Sequence, residues 1–520
     1  MTRSDRCRTS RHRRCASERF AQTPRLASRH RCGRWLMLRG LTCRCRVCMS
    51  YAIVWFRRDL RLEDNPALRA ALDAGHDPIP LYIDAPHEEG QWAPGAASRA
   101  WRHRSLAALD ASLRARGSAL LIRQGDSAQV LDAVIAQTEA VAVYWNRKYE
   151  PATQPRDAQI KRSLRERGLE VQSCNAALLF EPWTLATQQG GPYKVFTPFW
   201  RNALTQLRLP DAMPAPRSLP PLPASLDGVH VDALNLLPTP AWDQGFWEHW
   251  QPGEAGAHEM LEIFVDGALS GYRENRDRPD RVGTSQLSPH LHFGEIAPWR
   301  IASTLEAQRS ARNGADIDGY IRQLGWRDFA YHLLHHFPDT TTQNLNPRFA
   351  GFDWATVDPV TLDAWQRGRT GIPIVDAGLR QLWHTGWMHN RVRMIVASLL
   401  CKHLRVHWLE GARWFWDTLV DADLANNTMG WQWVAGTGAD AAPYFRVFNP
   451  VTQAEKFDPQ ATYITRWIPE LAALPVKERF APWLHPLSLA RLAPTYPRAP
   501  IIGLAEGRDA ALAAYAGTRG

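Results

Sequence analysis

The stretch AIVWF (residues 52–56) is an unbroken apolar run, which is typical of a strand buried on both faces of a sheet. A helical pattern follows, in which Asn65 is predicted to be the N-cap and Pro66 takes the first helical position. Further strands are predicted at 78–84, 119–123 and 140–145, with helices near 98–116, 126–138 and 155–167. This alternation predicts an α/β fold with a doubly wound, Rossmann-like parallel sheet, although no G-x-G-x-x-G follows the first strand.

The rest of the chain changes character twice. Residues 186–252 include the Pro-rich stretch PDAMPAPRSLPPLPASLDG (210–228), which has no periodicity and predicts an extended linker. From residue 253 onward, segments of helical period replace the strands, among them VDAGLRQLWHTGWMHNRVRMIVASLLCKHL (375–404). The sequence therefore predicts an α/β domain over 49–185, a linker over 186–252 and a mostly α-helical domain over 253–520.

The first 48 residues differ from the body in charge and in cysteine content. They hold 14 Arg, no Lys and two acids, a charge of +12, whereas the whole chain carries +10, so the body is at −2. Six of the eight Cys also lie there. We expect a non-native or disordered basic extension ahead of Met49; the alternatives are an organelle transit peptide and a metal site at Cys43, Cys45 and Cys48.

The composition of the body excludes several classes of protein. Only two Cys lie beyond the extension, which indicates a reduced, cytoplasmic protein. No apolar run is long enough to cross a membrane, and no G-x-S-x-G elbow of a serine hydrolase is present. The pairs His335-His336 and His290/His292 lack a third ligand at zinc-like spacing, so no metal site is predicted. With a body at −2, affinity for nucleic acid must come from a local basic patch.

A cluster of hydroxyls stands in GTSQLSPHLHFGEI (283–296), where Thr284, Ser285 and Ser288 precede Pro289. Pro at a helix start leaves neighbouring amides pointing outward, and the helix dipole favours an anion there. The pattern indicates a phosphate cradle or, alternatively, a simple helix cap rich in Ser and Thr.

Two arginines interrupt the apolar helical pattern GWMHNRVRM (386–394). Asn390 and Met394 share one helix face at i, i+4, whereas Arg391 and Arg393 project elsewhere. An Arg in such surroundings needs an acid partner, unless these residues form a surface stripe of a half-buried helix.

The stretch WDTLVDADLANNTMGWQW (416–433) mixes acids, amides and indoles. If it is helical, Asp423, Asn427 and Trp431 lie on one face and present a carboxylate, an amide and an indole to a planar ligand. A flavin fits, because its ring offers N–H donors that carboxylate and amide oxygens accept. Asp421 lies on another face and is a candidate partner for Arg393. The alternative is a capped helix end with solvated acids, and the chemistry alone does not decide.

From about Tyr51 to about Gly520 the sequence resembles the photolyase/cryptochrome flavoproteins, and the DNA photolyases in particular. The motifs that carry the resemblance are VWFRRDLRLEDNPAL (54–68), YKVFTPFW (193–200), YRENRDRPDRVGTSQLSPHLHFGE (272–295), LGWRDF (324–329), WQRGRTGIPIVDAGLRQLWHTGWMHNRVRM (365–394) and DADLANNTMGWQW (421–433) through APYFRVFNP (442–450). The resemblance implies a photolyase-type α/β antenna domain and a helical FAD-binding and catalytic domain that holds FAD in a bent conformation.

The resemblance also implies roles for individual residues. Arg393 and Asp421 would pair beside the isoalloxazine, and Asn427 would face its N5 atom. The implied cofactor-binding residues are Tyr272, Thr284, Ser285, Gln286, Leu287, Ser288, Arg393, Asp421, Ala422, Asp423 and Asn427. The implied electron-transfer chain runs from the flavin to the surface through Trp431, Trp408 and Trp354.

The implied partner is UV-damaged DNA, bound by a monomer, with a pyrimidine dimer flipped out of the stack. Trp faces offer the dimer a stacking platform, and arginines hold phosphates. The lesion pocket would be lined by Gln323, Trp326, Asn390, Met394 and Trp433. The remaining DNA contacts would come from Arg327, Arg391 and Gln453.

Three positions bear on which lesion is repaired. Photolyases for cyclobutane dimers typically carry Glu where this chain has Gln323, and photolyases for the (6-4) lesion typically carry Gln. The (6-4) enzymes also place His where this chain has Asn390 and Met394, and a His acid is central to their proton transfer. Two of the three positions therefore favour cyclobutane dimers, with a modest loss of efficiency expected from Gln323.

The resemblance therefore implies blue-light-driven repair of cyclobutane pyrimidine dimers by electron transfer from reduced FAD. The alternatives are a cryptochrome-type photoreceptor and a (6-4) photolyase; a flavin or NAD oxidoreductase would need a substrate-side base or a G-x-G-x-x-G, and neither is visible. For a second, antenna chromophore, folate-binding relatives have an Asn-Glu pair where this chain has Ala152 and Thr153. That difference disfavours folate in the known pose and leaves a deazaflavin or no antenna open.

Overall fold

A five-stranded parallel sheet forms the centre of the amino-terminal half. The computed structural model describes residues 50–356, 358–440 and 445–518, so the predictions for residues 1–48 lie outside the described residues. The strands are β1 (Tyr51–Phe56), β2 (Asp77–Asp84), β3 (Leu121–Gln124), β4 (Ala142–Asn146) and β5 (Glu170–Cys174). Their order is β3-β2-β1-β4-β5, and each neighbouring pair is parallel. The four predicted strands are confirmed, with ends shifted by one or two residues.

Helices cover both faces of this sheet. They are α1 (Pro66–Asp73), α2 (Ala96–Arg114), α3 (Ser127–Thr138) and α4 (Thr153–Glu166). Asn65 caps α1 as predicted, since its side chain accepts a hydrogen bond from Leu68 N at 3.1 Å. Along β1, Val54 enters one apolar cluster and Trp55 another, because successive side chains point to opposite faces of a strand. Burial on both faces confirms the doubly wound fold.

The segment predicted as an extended linker contains a helix, α5 (Phe196–Gln206). Phe196, Phe199, Trp200 and Ala203 are buried and follow the i, i+3, i+4, i+7 spacing of one helix face. This face packs closely, since a Cβ added at Gly325 would lie 2.3 Å from the Trp200 ring. The segment predicted as a linker over 186–252 therefore includes one helix, in a short periodic stretch that precedes the Pro-rich run. The domain boundaries themselves stay predictions.

The second half is α-helical, as predicted. Its helices are α6 (Glu254–Ile263), α7 (Tyr272–Asn275), α8 (Ser288–His292), α9 (Pro298–Ala307), α10 (Gly314–His336), α11 (Pro359–Gln366), α12 (Pro373–Thr385), α13 (Asn390–Ser398), α14 (Trp408–Thr418), α15 (Leu424–Ala435), α16 (Pro450–Phe457), α17 (Thr462–Trp467), α18 (Pro486–Leu492) and α19 (Leu504–Gly517). Within the described ranges, none of the helices combines the length and the apolar character needed to cross a bilayer.

The long helical pattern over 375–404 is broken into two helices. Gly386, with φ +67°, ends α12 in the left-handed conformation, which costs a residue without a Cβ little. The His389 side chain then caps α13 by accepting from Arg391 N at 3.2 Å. The break separates the residues of GWMHNRVRM, so the start of α13 lies at a turn and not within a continuous helix.

Candidate functional site

An ion pair joins α13 to the turn before α15. The Arg393 guanidinium donates from Nη2 to Asp421 Oδ2 at 2.8 Å and from Nε to the Met388 carbonyl at 2.7 Å. Asp421 Oδ2 also accepts from the Ser288 hydroxyl at 2.7 Å, and Trp387 Nε1 donates to the same hydroxyl at 3.2 Å. The expected pairing of Arg393 with Asp421 is therefore confirmed. It connects the hydroxyl-rich segment to the helix that carries the two arginines.

Asp423 is a buried carboxylate and the N-cap of α15. It accepts from Asn426 N at 2.9 Å and from the Tyr331 hydroxyl, and His292 Nδ1 lies 3.7 Å away. Burial works against its charge, but the nearby His292 ring, the positive charge of Arg327 and the Tyr331 hydrogen bond hold the pKa of Asp423 well below its usual range. The carboxylate is therefore ionised at neutral pH.

The expected face of Asp423, Asn427 and Trp431 begins at the N-cap of a helix and not inside it, and Asn427 N donates to the Asp423 carbonyl at 2.8 Å. Helix α15 begins at Leu424, so Asp423 stands before it in extended backbone, with φ −99° and ψ 125°. Capping explains the difference, because an Asp side chain satisfies the free amides of a first turn. Asn427 and Trp431 do lie one turn apart. Asn427 Nδ2 donates to the Ala412 carbonyl at 3.0 Å, and within the described residues its amide oxygen has no hydrogen-bond donor.

Two tyrosines, Tyr272 and Tyr320, pack beside the hydroxyl-rich segment. Ser285 Oγ and Tyr320 OH are 2.7 Å apart, and the Tyr272 ring packs against Tyr320 with centroids separated by 5.3 Å. Gln286 adopts a left-handed φ of 53°, and Leu287 N donates to Ser285 Oγ at 3.3 Å. The structure thus brings the predicted residues Tyr272 and Ser285 together. The helix that follows is a single turn that begins at Ser288, and Pro289 is its second residue rather than its first.

Two residues of the expected lesion pocket lie on α10. Gln323 Oε1 accepts from Arg276 Nη2 at 3.0 Å, and its Nε2 donates to the Gly319 carbonyl at 3.1 Å. Trp326 is half-buried and stacks on Phe196, with centroids 3.7 Å apart and planes 10° apart. Sequence reasoning missed Arg276, although it lies in one of the quoted motifs; its contact with Gln323 joins segments that are distant in the chain.

We call the surface residues Arg276, Gln323, Trp326, Asn390 and Arg391 the rim. The start of α13 carries the last two. Asn390 is exposed, and Arg391 pairs with Asp277 at 2.8 Å. The Arg391 guanidinium also lies over the Phe457 ring at 4.4 Å, at the end of the helix that carries half-buried Gln453. Arg391, Asn390 and Gln453 are therefore brought to adjoining elements. Met394, one turn after Asn390, is half-buried against the main apolar cluster.

Arg327 makes contacts within the protein. Its guanidinium donates to the carbonyls of Ala177 and Leu291, the latter at 3.3 Å, and lies over the Tyr331 ring at 5.2 Å. Its charge also helps to keep Asp423 ionised. The expected contact of this half-buried side chain with DNA stays a prediction.

Trp433 lines a cavity of about 570 Å³, together with Lys194, Lys402 and Phe445. Its Nε1 donates to the Asp440 carbonyl at 3.0 Å. The lining of this cavity includes neither Gln323, Trp326, Asn390 nor Met394. The structure therefore does not place Trp433 in one cavity with the other four residues expected to contact the lesion.

The three tryptophans of the expected electron-transfer chain differ in burial. Trp431 and Trp408 are buried and Trp354 is half-buried, which agrees with an outer position for the last one. The His407 ring links the outer pair, at 4.9 Å from Trp354 and 5.6 Å from Trp408. Trp431 packs against Phe415 with centroids 4.9 Å apart.

These features match known proteins. Residues 52–220 match the family model of DNA photolyase, and residues 320–517 match that of the FAD binding domain of DNA photolyase. A deoxyribodipyrimidine photo-lyase of Agrobacterium fabrum is 47% identical over 478 residues, which cover 90% of this chain and 98% of that protein. The chain belongs to the DNA photolyase/cryptochrome family.

Both branches of the photolyase/cryptochrome family are similar to this chain. Cryptochrome-2 of Arabidopsis thaliana is 38% identical over 90% of this chain and 79% of its own length. The crystal structure of a bacterial class III photolyase from Agrobacterium tumefaciens superimposes with a TM-score of 0.87 and 44% identity, covering 92% of this chain and all of the other. FAD is the cofactor of the carboxyl-terminal domain.

The side chains around Arg393 fit a bound FAD. Asp423 offers an ionised carboxylate, Asn427 offers an amide oxygen that is free within the described residues, and both suit the N–H donors of a flavin. The Ser285 and Ser288 hydroxyls belong to the segment predicted to hold the phosphates. Their chemistry drew attention to these residues in the sequence, and the family resemblance gave them their expected roles.

The crevice at the carboxyl ends of β1 and β2 bears on the antenna chromophore. Its free volume is about 30 Å³, which is roughly the space of one water molecule. Ion pairs fill the rest: Arg58 contacts Glu89 at 3.2 Å and also Glu150, and Lys148 contacts Glu89 at 2.8 Å. A chromophore in this crevice would have to displace these paired side chains.

Proposed function

We propose that the chain is a light-driven DNA photolyase that splits cyclobutane pyrimidine dimers. Arg393, Asp421, Asp423 and Asn427 would hold reduced FAD, which would supply light-driven electron transfer to the dimer without net redox change. The protein residues bind the two partners, orient them and exclude water.

The observation that carries the proposal is the arrangement of α13. Its first residue, Asn390, is exposed, and Arg393, three residues later, forms the ion pair with Asp421. Within one turn, a single helix therefore presents an amide to the surface and a guanidinium to the proposed flavin site. An extruded pyrimidine pair that contacts Asn390 would lie close to the flavin that Arg393 faces.

His389, which precedes Asn390 in the chain, argues against the (6-4) lesion. Repair of that lesion is expected to need a His acid, and here His389 is buried, and its Nδ1 caps α13. Burial lowers the pKa of His389 to about 4, so the ring is neutral at physiological pH and makes a poor proton donor. Asn390 and Met394, the positions where (6-4) photolyases carry His, hold no acid.

The remaining roles follow from the contacts at the rim. We assign base stacking to Trp326, and a hydrogen bond to the pyrimidine edge to Gln323. Arg276 positions the Gln323 amide, and Arg391 supplies positive charge for a flanking phosphate. Trp431, Trp408 and Trp354 would carry an electron from the surface when the flavin has to be reduced.

The test uses purified full-length protein with its FAD reduced, and two oligonucleotides that carry either a thymine cyclobutane dimer or a (6-4) product. We expect blue light to restore the first oligonucleotide and not the second, with no repair in the dark, as measured by chromatography of the intact strand. Restoration of the (6-4) oligonucleotide alone would overturn the lesion assignment.

A light sensor is the second candidate, because a plant cryptochrome aligns over 90% of the chain. The same assay separates the two functions. Protein that binds FAD and is reduced by light, but repairs neither oligonucleotide, would favour the sensor.

A further inference from the structure

Three side chains that can ligate a metal meet between the turn at 244–248 and the end of α12. One ligand atom from each of Glu248, His249 and His384 lies within 4.8 Å of the other two. All three side chains are exposed. The backbones beneath them are fixed, since a Cβ added at Gly245 would lie 2.5 Å from the His384 carbonyl oxygen. The sequence alone predicted no metal site, because these ligands come from segments that are far apart in the chain.

The possible ligand atoms of this cluster have no hydrogen-bond or ion-pair partner among the described residues. In the part of the chain that the structure describes, the side chains of Glu248, His249 and His384 make no hydrogen bond or ion pair with any other residue. Two further groups of possible ligands differ in this respect. In one, His258 pairs with Glu63 at 3.1 Å, and Glu254 accepts from two backbone amides.

In the other group, His87 with Glu88 and Asp126, two side chains also have hydrogen-bond partners. Glu88 accepts from the Ser127 hydroxyl at 2.6 Å and from Arg156 at 2.6 Å, while Asp126 caps α3. Only in the Glu248 cluster, among these three groups, would an ion displace no existing bond.

We propose that Glu248, His249 and His384 bind a Zn²⁺ ion. Two imidazoles and one carboxylate form a donor set that zinc accepts, and the exposed position leaves the fourth site to water. Zinc–ligand bonds of about 2.0–2.1 Å require the ligand atoms to move closer together, which exposed side chains can do.

The ion would fasten the turn at 244–248 to the last turn of α12. Trp250 Nε1 already donates to the Thr385 carbonyl at 2.8 Å at the same junction. Thr385 is followed by the Gly386 turn, which leads into α13. The zinc site would therefore support the helix start that presents Asn390, without touching it.

Equilibrium dialysis of the full-length protein against micromolar Zn²⁺, with a non-thiol reductant present and bound metal counted by mass spectrometry, tests the proposal. We expect His384→Asn to bind one equivalent of zinc fewer than the unchanged protein. The matched control His258→Asn should bind as much as the unchanged protein. The variants and the unchanged protein have the same cysteines, so any zinc bound by the amino-terminal thiols is equal in all of them and does not affect the difference. Equal zinc content in His384→Asn and the unchanged protein would overturn the proposal, as would loss of the equivalent in His258→Asn instead.

A second variant covers the case in which His384→Asn folds poorly, which its FAD content would reveal. Glu248 is exposed and makes no hydrogen bond within the described residues, so Glu248→Gln should keep the fold. We expect it to weaken zinc binding at least tenfold at unchanged FAD content. An unchanged zinc affinity would contradict the site.

Discussion

Replacement of Gly411 by Ala tests how rigidly Trp431 is held. Gly411 lies in α14, and a Cβ added there would lie 2.0 Å from Cη2 and 2.4 Å from Cζ3 of the Trp431 ring. The indole has little room to withdraw, since it is buried and packs against Phe415. Overpacking of this kind costs roughly 1–3 kcal/mol, whereas Ala is favoured over Gly in a helix by about 1 kcal/mol. We expect a net loss of stability of about 1 kcal/mol and slower reduction of FAD by light.

Gly430→Ala is the matched control. Gly430 also lies inside a helix, α15, but no heavy atom lies within 4 Å of an added Cβ there. This variant should therefore gain about 0.5–1 kcal/mol from helix propensity alone. The difference between the two variants in the free energy of unfolding by urea gives the energetic effect of the clash with Trp431. Absorbance measured during illumination compares their rates of FAD reduction. If both variants were equally stable and were reduced equally fast, the argument that packing fixes Trp431 would be refuted.

Three further predictions concern groups inside the helical domain. Arg393→Met leaves the Asp421 carboxylate buried without its cation, so we expect a loss of about 2–4 kcal/mol and of bound FAD, checked by flavin absorbance after gel filtration; full retention would contradict the role of the pair. Burial lowers the pKa of Lys402 to about 7, so the unfolded chain binds more protons between about pH 7 and pH 10 and stability rises with pH in that window. Urea midpoints across that range should show a smaller rise for Lys402→Met, and parallel curves would disprove the assignment. Trp408→Phe should block reduction of FAD by light yet leave dimer repair intact when FAD is reduced chemically; normal photoreduction would show that electrons take another route.

Local chemistry made part of the structure predictable. The run AIVWF could only be buried on both faces, and β1 does place alternate side chains in two apolar clusters. The Arg393–Asp421 pair was predictable for a similar reason, because a guanidinium in an apolar helix requires an acid partner. In both cases the residues of one short stretch are enough to predict which contact they need.

The errors arose where the deciding contact lies between distant segments or at a boundary. Asp423 was placed inside a helix because periodicity alone does not show where a helix starts, whereas its side chain caps α15. The contacts of the Arg327 guanidinium with the carbonyls of Ala177 and Leu291 were not predicted, because no local pattern encodes them. Arg276 was missed for the same reason, since its partner Gln323 is on another helix.

If the proposed function holds, the contacts of Gln323 explain how this position can differ from the carboxylate typical of cyclobutane-dimer photolyases without a change of lesion. Arg391 and Arg276 share one acid, Asp277, at 2.8 Å and 3.9 Å, so the rim keeps a positive charge while residue 323 is neutral. A Glu at position 323 would cancel that charge, in a body whose formal charge is −2 and whose hold on phosphates depends on local arginines. The amide is also fixed in orientation, because Nε2 donates to the Gly319 carbonyl and a carboxylate could not. If the proposed function holds, Gln323 is a weaker hydrogen-bond acceptor than Glu, but it leaves the rim more positive and its amide is already oriented. The choice of lesion then depends on Asn390 and Met394.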